Sequence, residues 1–244
     1  MKKLTVLLVL AFGIMMAIGC GGAPAAMKPT GHLPGSTTVP RAGTVFVGDS
    51  LFGRMDLDFY FPGKGYHNGG YFGQRTDQML ARFPAILDGS NVCHGYDGVP
   101  PDPAFPFSCS SITPPAEVVI LLGWNDLLQA FSASQAAANI NQMANMARNV
   151  GVKVVLVIPY RWDSAHLASW MQPFDACAPN GGAYPFSGNQ LPVLNANIDA
   201  NLMPPVPVVN LETVFFCQSD YTIDGLHPNA NGYQQIQAAI APAL

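Results

Sequence analysis

The feature that most restricts the fold of this chain is a series of short apolar runs that alternate with segments of helical periodicity. The runs are Thr44–Gly48, 117–123, Lys153–Ile158 and 206–210. Short apolar runs bounded by Gly and Pro are typical of strands that are buried on both faces. The sequence therefore predicts an α/β fold with a central parallel sheet that is covered by helices on both sides.

The intervening segments have the spacing of amphipathic helices. In the best of them, residues 134–150, Ser134 is the expected N-cap and Gly151 the expected end. Pro84 is expected to kink or end the segment 76–87, and Asn229 to cap the final helix. The predicted helices cover residues 76–87, 134–150, 191–202 and 230–240.

The N-terminus has the composition of an export signal. Lys2 and Lys3 precede an apolar stretch at 4–18, which is long enough for a signal-peptide core and too short to span a bilayer. Cys20 follows small residues, as in a bacterial lipobox, which it resembles. We expect residues 1–19 to be a signal peptide and Cys20 to carry a lipid anchor in the cell envelope. Ordinary secretion after cleavage near residues 23–25 is the alternative.

The remaining chain is predicted to be a tether followed by one domain. Residues 20–43 are rich in Gly, Ala, Pro, Ser and Thr, which is typical of a flexible linker. Residues 44–244 have the length of a single domain. The net charge of −4, without a basic cluster, excludes nucleic acid as a partner. Apart from the N-terminus and its lipid, the sequence predicts no membrane contact, and it leaves the oligomeric state open.

Four cysteines lie within the predicted domain. In an exported protein an even number of cysteines suggests disulfide bonds, and three pairings are possible. We favour Cys93–Cys109 and Cys177–Cys217, because each bond would close a loop-like insertion. No Cys or His spacing typical of zinc occurs, so no metal site is predicted. The loop at 95–107 is either a lid over the substrate or a rigid surface loop.

Polar residues occur where a parallel sheet would gather them into one site. Ser50 follows the first strand, Asn125 follows the run at 117–123, and Asp224 and His227 precede the final helix. Ligands of open α/β sheets bind at the carboxyl ends of the strands. We therefore expect these four side chains to converge there.

Their chemistry fits a serine nucleophile. A serine hydroxyl becomes reactive when a neighbouring base takes its proton, and imidazole suits this role near neutral pH. His227 is the candidate base for Ser50. Asp224 lies three residues before His227, so its carboxylate can reach the other ring nitrogen and fix the tautomer.

A tetrahedral intermediate also needs hydrogen-bond donors for its oxyanion. The candidates are the backbone N–H of Ser50, the side-chain amide of Asn125 and the N–H of a glycine. The acids Asp49 and Asp126 are interpreted as residues at helix N-termini that also bond neighbouring loops. The glycine is left open among three: Gly69, Gly70 and Gly73.

In this order the motifs resemble those of the SGNH hydrolases, also called the GDSL esterase/lipase family. The resemblance covers residues 44–244 and implies a flavodoxin-like three-layer α/β/α sandwich. It implies that Ser50 is the nucleophile, Asn125 an oxyanion donor, and Asp224 and His227 the acid and base. Gly73 matches the glycine of the family's second block. Phe52 stands where a G-x-S-x-G elbow would have its second Gly, which disfavours the larger α/β-hydrolase fold.

The resulting hypothesis is an exported serine esterase that needs no cofactor. A short-chain or carbohydrate O-acyl ester is the favoured substrate, and Trp124 and Tyr160 are candidate substrate-binding residues. A lipid acyl hydrolase is the alternative within the family. A non-catalytic envelope protein that binds glycans or lipids, and a flavin-binding electron carrier, are hypotheses from other classes.

Overall fold

The computed structural model describes residues 39–98, 102–160, 190–198, 205–212, 221–223 and 226–244. Its central sheet consists of parallel strands, as the apolar runs predict. The strands in chain order are β1 (Thr44–Gly48), β2 (His67–Gly70), β3 (Val92–His94), β4 (Ser108–Ser110), β5 (Glu117–Leu121), β6 (Lys153–Ile158) and β7 (Val208–Asn210). In space the sheet runs β2–β1–β5–β6–β7, and β3 and β4 form a separate antiparallel pair.

Helices connect the strands and follow the last of them. In chain order they are α1 (Ser50–Gly53), α2 (Leu57–Tyr60), α3 (Thr76–Leu87), α4 (Trp124–Leu128), α5 (Ala133–Asn149), α6 (Gln190–Asn197) and α7 (Ala230–Ile240), with a 3₁₀ turn at Ala241–Ala243. Helix α5 contacts α3 and α6, whereas α7 contacts α2. The parallel sheet with these helices is the predicted α/β fold.

The strand order determines where a site can form. From β1 the chain crosses to β2 on one side, whereas from β5 it crosses to β6 on the other. Because such crossovers are right-handed, this reversal puts the connecting helices on opposite faces and opens a crevice between the carboxyl ends of β1 and β5. Gly48 pairs with Leu121 at that edge, so the residues that follow them are neighbours.

The sheet and its helices enclose the core. Every residue of β1 and β5 is buried, as expected for strands covered on both faces. Each large apolar side chain that leaves water contributes about 1.5–3 kcal/mol to folding. The largest fully buried side chains include Phe46, Phe52, Phe83, Trp124 and Tyr160.

Both ends of α5 and of α6 differ from the sequence prediction, and α3 continues past Pro84. Helix α5 begins one residue earlier, because the side chain of Ser132, rather than that of Ser134, accepts a hydrogen bond from the N–H of Gln135. Helix α3 does not end at Pro84 but continues to Leu87. Buried apolar residues on both sides of Pro84 pack into the core, and this packing offsets the backbone hydrogen bond that a proline cannot make.

The predicted bond between Cys93 and Cys109 is confirmed, and it joins β3 to β4. Cys20, Cys177 and Cys217 lie outside the described residues, so the anchor and the second disulfide stay predictions. Within the described residues, no helix is both long and apolar enough to cross a membrane.

Candidate active site

Ser50 stands at the carboxyl end of β1, as the first residue of α1. The preceding residue, Asp49, caps this helix by accepting a hydrogen bond from the N–H of Leu51 at 2.9 Å. A first-turn N–H has no partner inside its own helix. The N–H of Ser50 makes no hydrogen bond to any residue that the structure describes, so it is available to an external acceptor.

His227 lies opposite Ser50, although 177 residues separate them in the sequence. The Nε2 atom of His227 is 3.0 Å from the Oγ atom of Ser50. When the ring proton is on Nδ1, the hydroxyl donates and Nε2 accepts, which is the geometry for removing the hydroxyl proton. Both side chains are half-buried, so the pair is open to a substrate.

The loop that carries His227 is held by backbone contacts and by one buried side chain. The N–H of Ile223 donates to the carbonyl of His227 at 2.9 Å. The hydroxyl of Tyr160 donates to the carbonyl of Leu226, the residue before His227. Asp224, the predicted acid, lies outside the described residues, so its role as the partner of His227 stays a prediction.

Asn125 reaches the same edge from the second residue of α4. Its amide donates to the carbonyl of Gln74 at 3.1 Å and to Oδ2 of Asp49 at 3.3 Å. These bonds connect Asn125 to the residue before Ser50 and to the residue after Gly73. The structure thus brings three of the predicted oxyanion donors to one edge of the sheet.

Among the candidate glycines, the backbone favours Gly73. The N–H of Gly70 already donates to the Asn68 side chain at 2.8 Å, and both Gly69 and Gly70 belong to β2. Gly73 lies in the exposed loop beyond the strand with a φ of +71°, a conformation that glycine adopts without strain. Its N–H has no acceptor among the described residues.

Burial perturbs the acid beside Ser50. Asp49 is fully buried, and this loss of hydration raises its pKa to about 7, against the hydrogen bond from Leu51, which lowers it. The charge of Asp126 raises the pKa of Asp49 further. Perturbed carboxyl groups of this kind are common at functional sites.

Asp126 connects α4 to the start of α3. This agrees with its interpretation as an acid at a helix N-terminus that also bonds a neighbouring loop. Its carboxylate accepts from the N–H of Thr76 at 2.9 Å and from the Thr76 hydroxyl at 2.6 Å. The amide of Asn139 donates to the same hydroxyl at 3.0 Å. Burial raises the pKa of Asp126. This network fixes the end of the loop that contains Gly73.

The two candidate substrate-binding residues are not positioned to contact a substrate. Trp124 is 2% exposed and Tyr160 is fully buried. Tyr160 follows a strand at its carboxyl end, which motivated the prediction, but its ring packs inward and its hydroxyl bonds the Leu226 carbonyl. In the described structure Tyr160 therefore supports the His227 loop.

Sequence reasoning missed two residues beside the site. Gln129, at the end of α4, donates to the carbonyl of Gly73 at 3.4 Å, and no local pattern marks it. Arg54 follows Ser50 by four residues. This spacing of about one helical turn was the signal that could have indicated a position near Ser50. The part of the chain that the structure describes contains no group of three or more His, Cys, Asp or Glu residues arranged to hold a metal ion.

The family model described as the GDSL-like lipase/acylhydrolase family matches residues 46–235. No curated protein matches the sequence. The match begins within β1, ends within α7 and includes every residue of the candidate site.

Solved structures share the fold at low sequence identity. A GDSL-like lipase from Bacteroides thetaiotaomicron has a TM-score of 0.60 and 23% identity, over 82% of this chain and 86% of that one. A member of the lipolytic G-D-S-L family from Veillonella parvula has a TM-score of 0.55 and 15% identity, over 83% and 98%. The psychrotrophic esterase EstA from Pseudoalteromonas has a TM-score of 0.50 and 16% identity, over 82% and 95%.

Proposed function

The chain belongs to the GDSL-like lipase/acylhydrolase family, and from that membership we propose that it is an exported serine esterase. Hydrolysis of the esterase or lipase type is the family's chemistry. We assign the acyl-enzyme to Ser50 and the general base to His227, with Asp224 orienting the imidazole. The favoured substrate is a short-chain or carbohydrate O-acyl ester, and a lipid acyl ester is the alternative.

The contact of 3.0 Å between Ser50 and His227 is the observation that carries this proposal. In the first step Nε2 of His227 takes the hydroxyl proton while Oγ of Ser50 attacks the ester carbonyl carbon. The tetrahedral intermediate collapses, and His227 returns the proton to the departing alcohol. Water then attacks the acyl-enzyme with His227 again as the base, which releases the acid and restores Ser50.

The charge that develops on the carbonyl oxygen needs donors that are already in position. The N–H groups of Ser50 and Gly73 have no acceptor among the described residues, and the amide of Asn125 lies beside them. We propose that these three groups form the oxyanion hole. Asn125 would exchange its bond with the Gln74 carbonyl for one with the oxyanion.

Export and membrane anchoring belong to the same proposal. They rest on the N-terminal sequence alone, with residues 1–19 as the signal peptide and Cys20 as the lipidated residue. No metal ion or organic cofactor is required by the proposed steps, because the proton, the nucleophile and the oxyanion donors all come from the chain.

The test is hydrolysis of p-nitrophenyl acetate, butyrate and longer esters by the wild type and by Ser50→Ala. We expect Ser50→Ala to lower kcat by about 10⁴-fold or more, because the nucleophile is lost. Ser134→Ala is the matched control, since Ser134 is exposed on α5 away from the site. Decline of activity with chain length supports the short-chain substrate, whereas a long-chain preference supports the lipid alternative.

A covalent probe gives a second measurement. The Pseudoalteromonas structure is described as inhibited by monoethylphosphonate. An activated phosphonate ester should label the wild type once, on the peptide that contains Ser50, and should not label Ser50→Ala. If both proteins remain unlabelled and inactive on every ester, the serine-esterase assignment is wrong and the glycan- or lipid-binding hypothesis replaces it.

A further inference from the structure

A cavity of about 420 Å³ lies beside α1, on the side of the outer strand β2. It is enclosed by the segment that follows α1, the start of β2 and the hairpin of β3 and β4. Its lining combines hydrogen-bonding and aromatic side chains. These include Arg54, Tyr66, His67, Asn68, His94 and Phe105.

The cavity adjoins the end of the helix that begins at Ser50, although Ser50 itself does not line it. Arg54 closes α1, and its N–H donates to the carbonyl of Ser50 at 3.0 Å. Four residues of helix rise about 6 Å, so Arg54 stands about one turn from the proposed nucleophile. Of the charged residues that line the cavity, Arg54 is the one nearest to Ser50 in the chain, and the ring of Phe72 packs against Gly53 between them.

The guanidinium of Arg54 lies over two aromatic rings that also contact each other. It lies 5.1 Å from the centroid of Phe72 and 4.6 Å from the centroid of Phe105. Cation–π contact of this kind restricts the guanidinium and does not use its terminal N–H groups, which can donate to an anion. Because Phe72 is the residue before Gly73, the stack also adjoins the proposed oxyanion hole.

This guanidinium has no polar partner among the described residues, and its Nε atom is buried. Of the other described arginines, three are engaged, whereas Arg148 is unpaired as well. Arg41 and Arg82 donate to backbone carbonyls, and Arg75 pairs with Asp77 at 3.0 Å. A partly buried cation without a counter-charge is costly unless a ligand supplies one.

The acidic residues of the cavity do not supply that counter-charge. Asp56 caps α2 by accepting from the N–H of Phe59 at 3.0 Å. Neither Asp56 nor Asp58 forms an ion pair with Arg54. Within the described residues, the cation of Arg54 therefore remains without an anion.

We propose that Arg54 binds a negatively charged group, a carboxylate or a phosphate, on the alcohol part of the ester substrate. The inference rests on the proposed function and narrows its substrate to anionic esters, such as the O-acyl ester of a sugar acid. The charged group is paired with the guanidinium while aromatic side chains of the cavity contact the rest of the alcohol.

The test compares three acetyl esters that differ in charge: 4-acetoxybenzoate, 4-acetoxyphenyl phosphate and the neutral 4-acetoxybenzamide. We expect the wild type to have a higher kcat/KM for at least one anion than for the amide. Arg54→Gln should lower that ratio by about tenfold to a hundredfold, the usual range for a charge-assisted hydrogen bond. The anion with the larger Arg54-dependent preference identifies the group that is recognised.

Arg148→Gln is the matched control. Arg148 also makes no side-chain hydrogen bond or ion pair with a described residue, but it lines a different cavity, at the opposite ends of β5 and β6. This variant should keep the wild-type ratio. In the wild type itself, raising the salt concentration should reduce the ratio, which tests the proposal without any variant.

The possible failures are distinguishable. If the wild type hydrolyses the amide in a Ser50-dependent manner but the ratio is the same in Arg54→Gln, the anion site is wrong and the esterase assignment stands. If no ester is hydrolysed, calorimetric binding of 4-acetoxybenzoate to Ser50→Ala, with and without Arg54→Gln, still decides the inference. Equal affinities of these two proteins would overturn it.

Discussion

At the scale of a single residue, Asp49 both caps α1 and contacts the candidate site. Its Oδ1 atom caps α1 at the N–H of Leu51, and its Oδ2 atom accepts from the amide of Asn125. One buried carboxyl group thus connects the backbone of Ser50 to a proposed oxyanion donor. Its position directly before Ser50 is visible in the sequence, but the contact with Asn125 arises only because β1 and β5 are neighbours.

The first prediction concerns the pH dependence that this burial causes. The pKa of Asp49 is about 7 in the folded protein, against 3.8 for the ordinary carboxyl group. The folded protein therefore holds a proton that the unfolded chain releases between those two values. The contribution of Asp49 to the free energy of unfolding is therefore fully present below about pH 4, and it is lost progressively as the pH rises to about 7.

Asp49→Asn removes this titration. Urea denaturation from pH 4 to 8 should show that the free energy of unfolding of the wild type, relative to Asp49→Asn, declines by up to about 1.4 kcal/mol per pH unit within that window. Asp58→Asn, an exchange of an exposed acid in α2, is the control. A difference between wild type and Asp49→Asn that does not change with pH would contradict the buried titration.

At the scale of elements, α1 is pressed against the sheet. A Cβ atom on Gly70 would lie 2.2 Å from the backbone nitrogen of Gly53, so the helix passes directly over the end of β2. From the other side, the hydroxyl of Tyr233 in α7 donates to the carbonyl of Leu51 at 2.9 Å. These contacts position the short helix that begins with Ser50, because four residues cannot form a stable helix alone.

The second prediction is that Gly70→Ala displaces α1. The backbone of Gly53 cannot yield as a flexible side chain could, so we expect a loss of about 1–3 kcal/mol in unfolding free energy and a larger loss of esterase activity. Gly69→Ala is the matched control, since its Cβ would be 3.1 Å from the nearest atom. Equal losses of stability and activity in both variants would argue against this packing.

At the scale of the whole molecule, the hairpin of β3 and β4, which the disulfide bond joins, lines one side of the cavity that contains Arg54. The Cys93–Cys109 bond closes a loop with a sequence separation of 16 residues. This loop brings Phe105 onto Arg54 and Phe107 onto Tyr71. The hairpin lies outside the central sheet, and the covalent bond constrains a segment that has little core of its own.

The third prediction is that Cys93→Ala combined with Cys109→Ala lowers the free energy of unfolding by about 3 kcal/mol, the expectation for a loop of this length. The same variant should lose the preference for anionic esters, since Phe105 no longer has a fixed position on Arg54. Chemical denaturation and the ester ratio are the two measurements. Thr113→Ala, an exposed change in the segment after β4, should alter neither one.

The sequence by itself determined the main strands, the parallel α/β class and the confirmed family. It also marked Ser50, Asn125 and His227, because each stands beside a strong local signal: an apolar run that ends, or a helix that begins at a capping residue. Such signals depend on neighbours within a few positions, and β1 and β6 accordingly have the predicted bounds. The short β2 and the hairpin lacked an apolar pattern and were not predicted.

Only the tertiary structure decided which groups are in contact. It favours Gly73 because Gly70 is committed to Asn68, and it turns Tyr160 inward toward the loop of His227. It also leaves the cation of Arg54 without an anion among the described residues. These outcomes depend on residues that are distant in the chain, such as Ser50 and His227 at a separation of 177. Local propensity carries no information about such contacts, because close packing and the satisfaction of buried polar groups are properties of the assembled fold.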